Sequence, residues 1–136
     1  MKMLNEIVGR IRQDCLAEFD NICRDSSLRF PGLLIRIEEM SSEAFPLRVF
    51  LTFSRNADKE GREVAISVEA RVSDGKMLIE FDAAYDDGEL LSSGSSVAVS
   101  VDDLLGGARE KSLFLHEFDR FLLATKDDIE AAVSQL

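Results

Sequence analysis

The chain has 136 residues, of which 46% are hydrophobic and 31% charged, and its formal net charge at pH 7 is −10. A chain of this length can bury enough apolar surface to fold without a metal or a disulfide, so we expect one domain over residues 1–136. The apolar runs are only a few residues long, which excludes a membrane-spanning helix, and the N-terminus lacks the regions of a signal peptide, which predicts a cytoplasmic protein.

Residues 3 to about 24 are predicted to form an amphipathic helix. Apolar residues recur at three- and four-residue spacing on one face: Leu4, Ile7, Val8, Ile11, Cys15, Phe19 and Ile22. Asp25-Ser26-Ser27 is expected to close this helix. Cys15 and Cys23 would lie about 12 Å apart along an intact helix, which is too far for a disulfide. We therefore expect Cys15 to be a buried apolar residue without redox or metal chemistry.

Two alternating segments follow the helix. A first strand is predicted over residues 33–40, with Leu33, Ile35 and Ile37 on one side, and its charged residues suit the edge of a sheet. A second strand is predicted from the apolar residues that share one side of the next segment: Leu47, Val49, Leu51 and Phe53.

The third and fourth strands can be paired from the sequence. The residues expected to face the core are Val64, Ile66, Val68, Ala70 and Val72 in one strand and Met77, Ile79, Phe81, Ala83 and Tyr85 in the other. Asp74-Gly75 between them is typical of a type I′ turn, in which both central residues have positive φ. This turn sets Val68 opposite Phe81 and gives every apolar residue an apolar partner, whereas a one-residue slip would break all of these pairs.

The turn at Asp86-Asp87-Gly88 is predicted to be a three-residue loop with Gly88 in the left-handed conformation. A two-residue loop would instead direct Val97, Val99 and Val101 to the polar face. Residues 92–96 have the sequence Ser-Ser-Gly-Ser-Ser, which suits either a polar bulge or a loop that interrupts the fifth strand.

A long helix is predicted from about residue 109 to residue 135, after a turn at Asp102-Asp103 that leaves the sheet. Thr125 and the residues after it resemble a capping box, which offers the alternative of a new helix. The helical phase favours one helix, because its apolar residues share one arc: Phe114, Leu115, Phe118, Phe121, Leu122, Ile129, Ala132, Val133 and Leu136.

The predicted fold class is α+β, a two-layer sandwich. Its sheet is a five-stranded antiparallel meander in the order 1-2-3-4-5, because each strand follows its neighbour through a short connection. We expect the long C-terminal helix to lie beside the N-terminal helix on the core face of the sheet, which leaves the other face exposed to water.

No motif for catalysis, cofactor binding or metal binding occurs in the sequence. His116 is the only histidine and falls on the polar side of the last helix, where a surface imidazole is expected. The paired carboxylates occupy turns or an exposed helix and lack the spacing of a calcium loop. We therefore predict no catalytic, cofactor-binding or metal-binding residues.

The net negative charge of the protein comes entirely from the second half of the chain. Residues 1–62 contain ten Lys or Arg and ten Asp or Glu, whereas residues 63–136 contain six and sixteen. This balance excludes nucleic acid as the expected partner and favours a basic protein. The candidate partner-binding residues are Glu69, Glu80, Asp82, Asp86, Asp87 and Glu89. Arg71 can reach Glu80 diagonally, so a surface ion-pair lattice also explains part of this set.

The order of a helix, a five-stranded meander and a long helix resembles several cupped-sheet folds and small acidic protein-binding proteins, including secretion chaperones and toxin-neutralising proteins. The resemblance concerns the fold and includes no shared motif. We predict a non-enzymatic protein-binding module whose acidic half meets a basic partner, with no membrane contact, and the sequence leaves homodimerisation open. The alternative is a small-molecule binding or catalytic domain with a pocket between the long helix and a curved sheet.

Overall fold

The computed structural model describes residues 2–39, 47–55, 62–91, 94–100 and 109–136. Its elements are α1 (Lys2–Arg29), β1 (Leu34–Glu39), β2 (Leu47–Ser54), β3 (Val64–Ser73), β4 (Lys76–Tyr85), β5 (Ser95–Ser100) and α2 (Arg109–Ser134). The strands form one antiparallel sheet in the order β1-β2-β3-β4-β5, and both helices pack on it. The predicted α+β architecture and meander are confirmed. Neither described helix is long and apolar enough to cross a membrane.

The pairing of β3 with β4 follows the predicted register. Val68 lies opposite Phe81, and the pairs from Val64–Tyr85 to Val72–Met77 all agree with the prediction. Asp74 and Gly75 have φ angles of 52° and 73°, as a type I′ turn requires. Local turn chemistry therefore fixes the centre of the sheet.

The second turn is the predicted three-residue loop. Gly88 has a φ of 91°, its N–H donates to the Tyr85 carbonyl at 2.9 Å, and the Tyr85 N–H donates to the Glu89 carbonyl at 2.9 Å. Val97 then lies opposite Ile79 and packs against the core, as predicted. Val99 does the same opposite Met77. The predictions for Val101 and for Asp102-Asp103 fall outside the described residues.

The pairing of β4 is interrupted before β5 begins. Leu90 bridges Ala84, and the next described pair is Ser95 with Phe81. Between these two pairs the chain that leads into β5 spans five residues, from 90 to 95, whereas β4 spans only three, from 84 to 81. Ser92 and Ser93, on which the choice between a bulge and a loop depends, lie outside the described residues. Gly94 is tightly packed there, because a Cβ at this position would lie 2.5 Å from Asp82 Oδ1.

The predicted end of α1 at Asp25-Ser26-Ser27 is wrong, because the helix continues to Arg29. The Phe30 N–H donates to the Ser26 carbonyl at 2.8 Å, and Arg29 forms an ion pair with Asp25 one turn earlier at 3.6 Å. The chain turns only at Pro31 and Gly32, where Gly32 has a φ of 91°. Proline and a left-handed glycine are typical residues after a helix end, and they override the polar residues before them.

The C-terminal helix is continuous through Thr125, as its helical phase predicted. The Thr125 hydroxyl does not cap a new helix but donates to the Phe121 carbonyl one turn earlier, at 2.8 Å, and the side chain is buried. Thr125 fills the gap in the apolar stripe between Phe121 and Ile129, both of which are buried.

The core lies between the two helices and one face of the sheet. A group of phenylalanine rings joins these layers, since the ring of Phe81 on β4 lies 5.5 Å from that of Phe118 and 5.6 Å from that of Phe121. Phe118 also contacts Phe19 of α1 at 5.7 Å. The buried apolar residues from α1 are Ile7, Val8, Ile11, Cys15 and Phe19, as predicted. The side chain of Leu4 lies outside the described part of the chain.

The outer face of the sheet is less exposed than predicted. Thr52 and Ser54 of β2 point away from the helices and yet are only 7% and 6% exposed. Arg36 of β1 forms an ion pair with Glu63 at 3.2 Å, and these two residues flank β2. Their side chains therefore cross over this part of β2 and shield its short polar side chains from water.

The register of the central hairpin predicts the effect of a single substitution. Val68 is 1% exposed, so Val68→Asp would bury a carboxylate without a partner and should lower the free energy of unfolding by about 3 kcal/mol or more. The measurement is urea unfolding followed by circular dichroism. Ser73→Asp, at the exposed end of the same strand, is the control and should change stability by less than about 0.5 kcal/mol. Equal stabilities for the two variants would show that the register is incorrect.

Candidate functional site

A groove of about 410 Å³ lies between the C-terminal halves of the two helices. It is lined from α1 and the residue after it by Asn21, Ile22, Asp25, Ser26, Arg29 and Phe30; from the sheet by Phe53 and Ile66; and from α2 by Asp119, Leu122, Leu123, Lys126, Ile129, Glu130 and Val133. The residues from each helix recur at three- and four-residue spacing, so each helix contributes one face.

The two helices run in the same direction along the groove. Phe19 contacts Phe118 at one end, and Arg29 bonds Glu130 at 2.5 Å at the other end. From the first contact to the second, the residue numbers increase on both helices, from 19 to 29 on α1 and from 118 to 130 on α2. The two helices are therefore parallel. The groove is therefore closed by an aromatic contact at one end and by an ion pair at the other.

The interior of the groove is apolar. Phe53 of β2 and Ile66 of β3 supply side chains from the sheet, and both are buried. Ile22 and Leu122 form apolar walls, while Leu123 stands at the rim with 78% of its surface exposed. An apolar cleft with a few polar groups at its edge is the usual form of a binding site.

The far end of the groove, where Arg29 bonds Glu130, has this interhelical ion pair at its rim. The near end is the one beside Phe19 and Phe118. Arg29 contacts Glu130 of α2 and Asp25 of its own helix, and the hydrogen bond from Arg29 holds the pKa of the Glu130 carboxyl below its ordinary value. The positive charge of Lys126, which also lines the groove, acts in the same direction. The carboxylates at this end are thus compensated by cations of the protein itself.

The near end of the groove has a different electrostatic character. Asp119 of α2 lines the groove there. On α1, burial together with the charges of Asp119 and Asp14 raises the pKa of Glu18, which is not among the described residues that line the groove. One oxygen of Asp14, Oδ2, is buried and has no hydrogen-bond partner among the described residues. Neither Glu18 nor Asp119 forms an ion pair with any other residue that the structure describes.

Three of the predicted partner-binding residues lie on the opposite face of the sheet from this groove. Glu69 and Glu80 face each other across β3 and β4, as expected, and Asp82 is the next residue on that side. Arg71 binds Glu80 at 2.9 Å, which confirms the predicted diagonal ion pair, and Arg48 binds Glu69 at 3.2 Å. Burial and the charges of Glu80 and Glu69 raise the pKa of Asp82.

The other three predicted residues gather around the turn after β4. Arg62 bonds Asp87 at 3.0 Å and Glu89 at 2.7 Å, and its guanidinium lies 3.3 Å from the centre of the Tyr85 ring. Asp86 Oδ1 accepts a hydrogen bond from the Glu63 N–H at 3.2 Å. The structure therefore divides the six acidic residues between two places and pairs most of them with arginines of the same chain. Their role in partner binding stays a prediction.

The described residues form no group of three or more His, Cys, Asp or Glu side chains that could hold a metal ion. His116 is exposed on α2 and does not line the groove. Cys15 is buried, and burial raises the pKa of its thiol, which disfavours the reactive thiolate.

Comparison of the chain with known protein families, curated proteins and solved structures finds no match. The resemblance to secretion chaperones and toxin-neutralising proteins therefore also stays a prediction.

The groove lies against α2 and the sheet, where the alternative prediction expects a pocket, but α1 supplies a wall that this prediction does not include. The prediction that Asp25-Ser26-Ser27 closes α1 leaves out this wall, although Ile22, Ser26 and Phe30 continue the four-residue spacing of its apolar face. This spacing was the available signal, since a helix that ended at Asp25 would have presented no such wall.

The ion pair at the far end predicts a pH-dependent contribution to stability. Because the pKa of Glu130 is lowered in the folded protein, the contribution is present above the unfolded value of about 4.3 and is lost as the pH falls through the folded-state pKa. Glu130→Gln should lower the melting temperature at pH 7 by about 1–4 °C and leave it nearly unchanged at about pH 2. Asp128→Asn, on an exposed part of the same helix, is the control. An equal loss at both pH values would show that the pair does not act through its charge.

Proposed function

We propose that this protein is a non-enzymatic protein-binding module, and that its groove between α1 and α2 holds an apolar segment of a basic partner. The observation that carries the proposal is the apolar groove itself, which is open at a rim of charged side chains. Among the described residues that line the groove, Ser26 is the only hydroxyl and there is no histidine or cysteine.

The shape of the groove suits a helical segment. Its walls are two parallel helical faces, and the wall from Asn21 to Phe30 rises by about 14 Å, which is close to two and a half turns. Amphipathic helices commonly bind in such grooves by placing apolar side chains from successive turns on the floor. Phe53, Ile66 and Ile129 would contact these side chains.

The charge of the helical layer favours a basic partner. Residues 14–29 and 114–134 together contain nine Asp or Glu and four Lys or Arg. A segment with an apolar side and basic flanks would therefore be attracted to this surface, and its association rate should fall as salt screens the charges. A cytoplasmic setting is part of the proposal, and the two free cysteines support it because unpaired cysteines are typical of reducing compartments.

A small-molecule site is the second candidate. The groove volume of about 410 Å³ falls within the range of about 300–1,000 Å³ that small-molecule pockets occupy. Asn21 and Ser26 could orient such a ligand from the rim. The exposed Leu123 favours the protein partner, since a leucine at the rim contributes more to a contact that extends beyond the cleft.

The proposal can be tested with two exposed leucines. Leu123 lines the groove, whereas Leu28 of α1, 83% exposed, does not. The ligand is an amphipathic peptide of about 15 residues with leucines on one face and lysines on the other, and fluorescence anisotropy gives its Kd. Leu123→Ala should weaken binding about five- to tenfold because it removes an apolar anchor. Leu28→Ala should leave the Kd unchanged, and neither variant should alter the melting temperature by more than about 2 °C.

A second peptide separates the roles of charge and apolar contact. It keeps the leucine face and carries glutamates in place of the lysines, so it should bind more weakly, and the difference between the peptides should shrink from about 0.05 to 0.5 M salt. Equal loss in Leu28→Ala and Leu123→Ala would contradict the groove as the site. Saturable binding of an apolar dye in the groove without binding of either peptide would favour the small-molecule function.

A further inference from the structure

The strand β1 forms one edge of the sheet. Within the described part of the chain it pairs with β2 alone, through six consecutive residue pairs from Leu34–Ser54 to Glu39–Val49. The N–H and C=O groups of an antiparallel strand point alternately toward one neighbour and toward the other side. Every second residue of β1 therefore presents backbone hydrogen-bonding groups with which a further strand can pair.

The two edges of the sheet are not equally open. Five of the six residues of β1 are exposed, including Leu34 at 42% and Ile37 at 37%, whereas only two of the six residues of β5, the other edge strand, are exposed. The pairing of β1 with β2 is also continuous, whereas the pairing of β4 is interrupted before β5 begins. A regular edge strand with exposed apolar side chains is suited to pairing with another strand, because proteins otherwise interrupt or cover such an edge.

The side chains of β1 make the strand complementary to itself. Arg36 and Glu38 point to the outer face of the sheet, whereas Ile37 between them points toward the helical layer. In an antiparallel pairing with β1 of a second copy, centred on Ile37, Arg36 lies opposite Glu38 of that copy and Glu38 lies opposite its Arg36. Two pairs of opposite charge then flank the contact between the two Ile37 side chains.

Other registers of this pairing are unfavourable. A shift by two residues places Arg36 opposite Arg36 of the second copy, or Glu38 opposite its Glu38, and like charges directly opposite each other destabilise a strand pair. A shift by one residue places Ile37 opposite a charged side chain. The sequence of β1 therefore specifies one register, with a twofold axis at the pair of Ile37 residues.

We propose that β1 is the interface of a homodimer, in which two copies of the chain join their sheets edge to edge through antiparallel β1 strands. Main-chain hydrogen bonds supply the affinity, as in other cases of strand addition, and the side chains of β1 set the register. In the single chain, Arg36 already lies 3.6 Å from Glu38 and 3.2 Å from Glu63. The dimer thus joins two such groups into one network of alternating charges on the outer face.

The dimer leaves the groove between α1 and α2 accessible. No residue of β1 is among the described residues that line this groove. The register keeps the outer faces of the two sheets on the same side, so the helical layers of both copies lie together on the other side. Each dimer therefore presents two grooves in the same direction, and the dimer does not depend on what the groove binds.

The test is a charge exchange, followed by sedimentation equilibrium. A contact through six residues is smaller than the roughly 20–30 residues per side of a stable interface, so we expect a reversible dimer that forms as the concentration rises to about 1 mM. Arg36→Glu and Glu38→Arg should each raise the dimer Kd about tenfold or more, because each substitution creates like charges at both pairs. An equimolar mixture of the two variants should form a heterodimer with the Kd of the parent dimer, since opposite charges then meet again at both pairs.

Arg71→Glu is the matched control, because Arg71 is an ion-paired arginine on the same outer face but lies on the central strand β3. It should leave the dimer Kd unchanged. A parent chain that remains monomeric up to about 1 mM would overturn the proposal. So would a dimer whose Kd neither β1 variant alters, or a mixture of the two variants that remains monomeric.

Hydrogen exchange tests the interface in the parent chain, without any substitution. As the protein concentration rises, alternate amides of β1 should gain protection, because only the N–H groups that point away from β2 enter new hydrogen bonds. Concentration-dependent protection confined to α1, α2 or β5 would assign the dimer to another surface and contradict the proposal.

Discussion

The contacts of the Phe81 ring hold the two layers of this protein in register. Phe81 belongs to β4, and its ring centre lies 6.0 Å from that of Phe114, 5.5 Å from that of Phe118 and 5.6 Å from that of Phe121. Phe118 in turn contacts Phe19, so one strand fixes both helices through a chain of aromatic rings. Such contacts combine a large buried area with a preferred geometry, which sets the helix positions as well as their stability.

The groove follows from this arrangement. The helices are packed directly at Phe19 and Phe118, but at the far end they meet through the long side chains of Arg29 and Glu130. Long polar side chains can bridge helices without close apolar packing between them, so an apolar cleft remains over Phe53 and Ile66. Arg55 supports this end, because its guanidinium donates to the carbonyls of Pro31 and Leu136.

Local chemistry made much of the fold predictable. The hairpin between β3 and β4 depends on two turn residues and on alternating side chains, both of which are visible in the sequence. The end of α1 was not predictable from its polar residues, since Arg29 is stabilised partly by Glu130, which lies 101 positions further along the chain. The alternative prediction of a pocket between the long helix and the sheet does not include α1, because only the tertiary fold brings the end of α1 beside the other two walls.

The acidic candidates show the corresponding limit for a site. Composition identified a negative half of the chain, and the pair of Arg71 with Glu80 was expected from strand geometry. Composition does not reveal that Arg62 pairs with both Asp87 and Glu89. Nor does it reveal that Asp119 and Glu18 have no ion pair with a cation among the described residues. Which carboxylates are free depends on tertiary pairing, which charge counts do not contain.

The central claim, that the groove between α1 and α2 is a binding site for an apolar segment, is tested most directly by intermolecular nuclear Overhauser effects. With methyl-labelled protein and an unlabelled leucine-and-lysine amphipathic peptide, we expect contacts from the peptide's leucine methyls to the methyls of Ile66, Ile129 and Leu122. Contacts confined to the outer face of the sheet, at Ala65 or Leu78, would contradict it.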